Sequence, residues 1–227
     1  MSGLDRFVAT FLDLEVGLRY GPQILEGLVT TVGIGLAVVA TGLACGLALA
    51  VLRAFGMRPV NFLLIQIVDI LRALPPLVVV LIIYFGLPSV GVVIPSAVVL
   101  WLSLSAILAA FSEEVFWAGI TSTPTGQWMA ARSTGLSFLQ TLCYVILPQA
   151  VRVAIPPLTN RTIAITKNTA LGSAIGVNEI LGQATSAEAF SANATPLLIA
   201  SVLYVLIFIP LVIASHALER RHAVWRR

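Results

Sequence analysis

Long apolar runs, interrupted at intervals by glycine, proline or charge, set the pattern of this chain. A short amphipathic lead-in over residues 4 to 19 is followed by an apolar run from about 24 to 52 that ends at Arg53. A run of about 20 apolar residues bridges a hydrocarbon core roughly 30 Å thick, so a membrane-crossing helix is predicted here. A second span is predicted over 60 to 85, with Asp69 and Arg72 near its middle and Pro75-Pro76 just beyond them. Residues 86 to 95 read as a tight turn free of Lys and Arg, and a third span over 96 to 115 ends with Glu113 and Glu114. A polar-leaning connection over about 117 to 140 leads to a fourth apolar stretch, 144 to 166, interrupted by Pro148, Pro156 and Pro157. A second polar connection, 167 to 195, holds Glu179 and Glu188 with Lys167 as its one basic residue, and a fifth span covers 196 to 217.

The first run carries Gly27, Gly33, Gly35, Gly42 and Gly46 among Ala and Thr. Lipid tails are as apolar as leucine, so membrane helices associate through close packing, and small residues mark a face pressed on another helix.

Composition agrees with this pattern. The 227 residues are 59% hydrophobic and only 10% charged, with a mean hydropathy of +1.01, whereas a soluble domain carries roughly 25% charged residues. The reading is an all-α membrane protein, one transmembrane domain over 1 to 227 with five transmembrane helices and no internal repeat. The net charge of +3 does not indicate a nucleic-acid partner, because the basic residues neither cluster on one face nor alternate with aromatics. Cys45 and Cys143 lie in apolar stretches without metal-ligand spacing and read as buried small apolar residues. Residues 1 to 20 show no cleavable leader pattern, so the spans themselves are expected to insert the chain.

Arg53, Arg58, Arg132 and the four arginines between Arg220 and Arg227 fall on one side of this map, against Arg6 and Arg19 on the other. The excess of Lys and Arg on cytoplasmic loops then puts the N-terminus outside and the C-terminus in the cytoplasm.

Little of the chain is available for catalysis. Lys167 is the sole lysine and stands outside any glycine-rich phosphate loop; both histidines, His216 and His222, are at the C-terminal membrane edge. Neither a metal-site nor a nucleophile-elbow pattern occurs, so catalytic residues and metal ligands are expected to be none. A filter-like glycine run or ring of carboxylates, expected of a channel, is also missing.

Residues 125 to 149 are more informative. Ala130-Ala131, Gly135 and Val145-Ile146-Leu147-Pro148 have the spacing A-A-x-x-x-G-x9-[I/V]-x-L-P. This resembles the EAA loop of ABC-importer permeases, a cytoplasmic helix that docks in a groove on an ATPase. Gly126, Gln127, Met129, Ala130, Ala131, Arg132 and Gly135 are the residues it assigns to coupling. The likeness extends from about Tyr20 to the C-terminus through Asp69-Ile-Leu-Arg72, Tyr84-Phe-Gly-Leu-Pro88, Pro156-Pro-Leu-Thr-Asn160 and Ile175-Gly-Val177. It is similar to the polar amino-acid branch (histidine, glutamine and glutamate type) of these permeases.

The resemblance implies a type I importer permease (MetI-like) fold of five spans in the bacterial inner membrane. It further implies two ATP-binding subunits that hold ATP and Mg, a second permease subunit and an external solute-binding protein. No cofactor is expected in this chain. The implied function is the permease of an ATP-driven importer for polar amino acids or analogues such as opines. The alternative is a non-transporting scaffold or regulatory subunit of such a complex.

Four positions depart from the family pattern. Met129 stands where the EAA glutamate is usual, and Trp117 where an arginine follows E-I-F. Arg72-Ala-Leu-Pro75 replaces R-G-T-P, and Lys167-Asn-Thr-Ala170 replaces K-D-T-S. These losses of polar groups suggest the divergent member of a heterodimeric permease, with a homodimer for a less polar solute as the competing reading.

Charge at bilayer depth is costly unless paired or wet, which makes each such residue a functional candidate. Asn160, Arg161, Thr166, Lys167, Asn168, Arg72 and Glu114 are the candidate lining of the solute path. Arg72 and Asp69, three residues apart, are placed to neutralise one another. The Pro156-Pro157 pair suggests a broken helix at this depth.

Overall fold

A computed structural model describes residues 2 to 223, with side chains described through residue 217; the arginine tail and His222 lie outside those side chains. Among the described residues all regular structure is helical. Helix α1 (Gly3–Phe11) opens with a reciprocal cap between Ser2 and Asp5. Helix α2 (Leu14–Ala54) then runs for 41 residues, about 60 Å at 1.5 Å per residue and well beyond the thickness of a hydrocarbon core. It starts earlier than the apolar run, because Pro22 within it removes one backbone donor without halting the helix.

The sequence reads 60 to 85 as one span; the structure divides it. Helices α3 (Arg58–Ala73) and α4 (Pro76–Ser89) meet at a bend of 107°. The cause is local. Pro75 and Pro76 bring no N–H, and a residue that precedes proline is pushed out of the helical region; Leu74 accordingly has φ −81° and ψ 139°. Among the described residues four helical stretches are long and apolar enough to cross a membrane, five if the bent pair counts as one span.

Helix α5 (Ser96–Ser122) is followed by two short helices, α6 (Thr125–Ser133) and α7 (Phe138–Thr141), and a π-helical turn over Leu142–Ile146. Helix α8 (Leu147–Lys167) passes through Pro156 and Pro157 unbroken, which corrects the expectation of a break there. Two prolines fit helical φ, and the cost is limited to the bonds their N–H groups would have made to Arg152 and Val153. Irregularity comes later, in the 3₁₀ turn Asn168–Ile175, which ends at Gly176 with φ +73°. Helices α9 (Ile180–Ser191) and α10 (Thr195–Ala223) complete the chain.

Contacts group the chain into two compact units, each assembled from distant segments. The first comprises residues 1–38, 75–104 and 165–212, and the second 39–74, 105–164 and 213–227. In the first unit Ile24, Ile180, Ala184 and Ala200 form a core. A Cβ on Gly27 would sit 2.8 Å from the Glu179 carbonyl carbon, so the backbones touch there. The Glu179 carboxylate is buried and caps α9, accepting from the N–H groups of Leu181 (2.9 Å) and Gly182 (2.6 Å) and from the Tyr204 hydroxyl (2.7 Å).

In the second unit Phe116, Ile120, Leu142, Ile146, Ala150 and Leu158 pack together. Helices α2 and α5 are seamed by Gly42 against Leu108, Gly46 against Ser112, and a 2.7 Å hydrogen bond between the Thr41 and Ser105 hydroxyls. The glycine face expected from the sequence is thus used at Gly27, Gly35, Gly42 and Gly46, while Gly33 meets nothing within 4 Å. The expected burial of the cysteines is corrected: Cys45 and Cys143 are both exposed, because each lies on the outward side of its helix.

Candidate functional site

The segment that the sequence singles out for coupling is a discrete element. Helix α6 follows Pro124 and ends before Gly135, whose φ of +88° is a conformation that favours glycine. Ala131 is its one buried residue, at 8% exposure, whereas Gly126, Gln127, Met129, Ala130 and Arg132 are exposed. Met129 is 64% exposed. The Arg132 guanidinium donates to the Leu136 carbonyl at 3.2 Å, which satisfies a group just beyond the helix end. Its other side is held by aromatics: Trp128 stacks on Phe138 with centroids 5.6 Å apart, and Phe138 meets Phe55 at 5.5 Å. Ser137 and Gln140 cap one another and so begin α7 immediately beneath this contact.

A charged group lies in the same unit. Arg72 on α3 is ion-paired with Asp69 at 3.4 Å and with Glu114 on α5. Both carboxylates are exposed and Arg72 is half-buried, so its charge is already balanced within the chain. The ring of Phe111 carries two guanidiniums, Arg72 at 5.6 Å and Arg161 at 4.5 Å from its centroid. Arg161 is exposed, and among the described residues no carboxylate lies within ion-pair distance of it. A cation over an aromatic face is stabilised without being neutralised, so Arg161 retains its capacity to bind an anion.

The remaining candidates fall elsewhere. Asn160 neighbours Arg161 on α8 and is exposed. Lys167, the last residue of α8, belongs to the first unit and has its ammonium 5.6 Å from the Phe208 ring centre. Thr166 borders Gly35 of α2, and Asn168 opens the 3₁₀ turn. Within the second unit Arg161 and Arg72 share the Phe111 ring, and within the first unit Lys167 lies over Phe208.

Sequence reasoning misses the most buried ion pair. Arg53 at the end of α2 donates to both carboxylate oxygens of Glu113, at 3.0 and 3.3 Å. Glu113 is fully buried and the Arg53 side chain 19% exposed. The same guanidinium lies 4.6 Å from the Trp117 ring centre. Sixty positions separate the partners, so no local spacing announces them. Phe111 had a weak signal, standing one helical turn before Glu114.

The chain as a whole is similar to known proteins. Residues 23–224 match the model of the binding-protein-dependent transport system inner membrane component family. From Bacillus subtilis, the L-cystine transport system permease TcyB is 33% identical over 89% of this chain and 87% of its own. The arginine transport system permease ArtQ of the same organism is 31% identical over 92% of this chain and 97% of its own. The probable glutamine ABC transporter permease GlnM, also from Bacillus subtilis, is 30% identical over 87% and 92%. Among solved structures, an amino acid ABC transporter crystallised with histidines superposes with a TM-score of 0.82 at 28% identity, over 92% of this chain and 98% of that one. The MetNI methionine ABC transporter in an inward-facing form shares the fold, with a TM-score of 0.69 at 24% identity over 88% and 96%. A match across nearly the whole chain, a set of long apolar helices and a short exposed helix before Gly135 lead to one conclusion: the chain belongs to the binding-protein-dependent transport system inner membrane components, the multi-pass permease subunits of ABC transporters, and is a transport component rather than an enzyme.

Proposed function

We propose that this chain is the permease subunit of an ATP-driven importer of polar amino acids or amino-acid-like solutes, and that α6 receives the motion of a partner ATPase. The observation that carries this reading is the exposed face of α6, Gly126, Gln127, Met129, Ala130 and Arg132, held from behind by Ala131 and the Trp128–Phe138 stack. A short helix with small residues outward and an aromatic anchor inward suits docking in a groove on another protein. ATP and Mg are bound by that partner. Two such ATPases, a second permease subunit and an external solute-binding protein complete the machine, with α6 and the C-terminus on the cytoplasmic side.

The solute class is inferred from relatives named for glutamine, cystine and arginine transport. Arg161 on its Phe111 platform is suited to a carboxylate, which these amino acids share. Arg72 and Glu114, already paired, lie beside the same Phe111 ring in the second unit, while Thr166, Lys167 and Asn168 are candidates within the first unit by themselves. Alternating access would expose this lining to one side of the membrane at a time. The Met129 and Trp117 departures favour a heterodimer in which the second permease keeps the standard coupling loop.

Reconstitution tests the reading. The chain, purified with its second permease subunit, ATPase and binding protein and placed in proteoliposomes, is expected to accumulate radiolabelled polar amino acids only with ATP on the ATPase side of the membrane. Absence of ATP-dependent uptake from a correctly assembled complex would sink it. Recovery of two identical permease copies per two ATPases would instead overturn the heterodimer alone.

A further inference from the structure

Four helical segments of the second unit meet around the end of α2, and their contacts form an unbroken series of side chains. Trp128 of α6 stacks on Phe138 at an interplanar angle of 23°. Phe138 touches Phe55, the residue after α2 ends. Two positions earlier, Arg53 grips the buried Glu113 of α5 and covers Trp117 of the same helix. Its backbone carbonyl accepts from the Asn61 side chain of α3 at 2.9 Å. The end of α2 is thereby tied to α6 through aromatic rings, to α5 through an ion pair and to α3 through a hydrogen bond.

We propose that Phe55 and Arg53 form a mechanical linkage that delivers displacement of α6 to the first long helix, making Arg53 a positioning residue for transport. The inference rests on the coupling role assigned to α6 and goes beyond it, because it names the route by which a movement there reaches α2. Chain connectivity alone would route the movement only into α5 and α8, the helices on either side of α6 and α7. The side-chain route has the stiffness required. Aromatic rings in contact resist compression, and a guanidinium that donates from one nitrogen to both oxygens of a buried carboxylate while lying over a ring face is restrained at short range. Glu113 cannot turn away to water, since it is fully buried.

The complex of this chain with its second permease subunit, ATPase and binding protein, in proteoliposomes, is the test system, with radiolabelled glutamine, arginine and cystine supplied together. The quantity read is ATP hydrolysed per solute accumulated. Phe55→Leu cuts the aromatic series, and the paired change Arg53→Met with Glu113→Leu removes the ion pair while leaving no charge buried alone. Each is expected to raise the ratio about fivefold, the scale of coupling lost along a contact network. A ratio equal to wild type in the assembled Phe55→Leu complex would overturn the linkage, whatever the paired variant does. If the wild-type complex itself shows no ATP-driven uptake, it is the coupling role of α6 that fails; if wild type transports and Phe55→Leu keeps its ratio, only the linkage fails.

Discussion

Arg161 lies with its guanidinium carbon 4.5 Å from the centre of the Phe111 ring, a cation held by an aromatic face and by no carboxylate of the described chain. Arg72 shares that ring but spends its charge on Asp69 and Glu114. The two arginines therefore have different tasks, and substitution should separate them. Arg161→Met is expected to lower amino-acid uptake in vesicles about tenfold or more at unchanged expression, the scale of a lost hydrogen bond to a charged group. Unchanged transport would remove Arg161 from the solute path.

Glu113 and Arg53 should behave as a unit in stability. Removing one member of a buried pair leaves the other charge uncompensated, at a cost of about 3–5 kcal/mol, while replacing both with apolar residues is often neutral. Glu113→Leu alone should depress the thermal midpoint of the detergent-solubilised protein sharply, and adding Arg53→Met should restore most of it. Additive losses in the two variants would show that the pair is not what holds these helices.

Glycine positions offer an internal control. A Cβ on Gly119 would lie 2.7 Å from the Ala150 carbonyl oxygen, whereas one on Gly33 meets nothing within 4 Å. Gly119→Ala should cost about 1–3 kcal/mol through overpacking. Gly33→Ala should cost nothing, or gain up to about 1 kcal/mol from helix propensity. Thermal unfolding of both in one detergent decides the matter, and equal midpoints would contradict the close approach of α5 to α8.

The exposed face of α6 can be tested without disturbing the fold. Ala130→Arg places a long charged side chain where the structure has open surface. Its effect on the isolated chain should stay within about 0.5 kcal/mol, as for other surface changes. Retention of the partner ATPase through affinity purification should fall at least tenfold, a loss of about 1.4 kcal/mol in binding. Full retention would mean that the ATPase docks elsewhere.

The membrane class and the small helix before Gly135 were legible because each rests on a local rule. Apolar length measures against bilayer thickness, and the need for a left-handed residue after α6 shows as glycine. Local rules also misled. Pro156-Pro157 and Pro75-Pro76 are the same dipeptide, yet only the second pair breaks its helix. The cysteines were expected inside because their surroundings are apolar, but in a membrane apolar surroundings do not imply a buried side chain.

By itself the sequence determined that this chain is a helical membrane protein and pointed to a permease. Hydrophobic length, charge scarcity and a repeatable loop spacing are additive along the chain, so they can be read without folding it. Only the tertiary structure decided which charges are spent and which remain. Arg53 finds Glu113 across sixty positions, Arg72 is balanced by Glu114, and Arg161 is left on Phe111. Pairing of charges is a property of distance in space, and in a bundle of long helices that distance is set by which faces pack together.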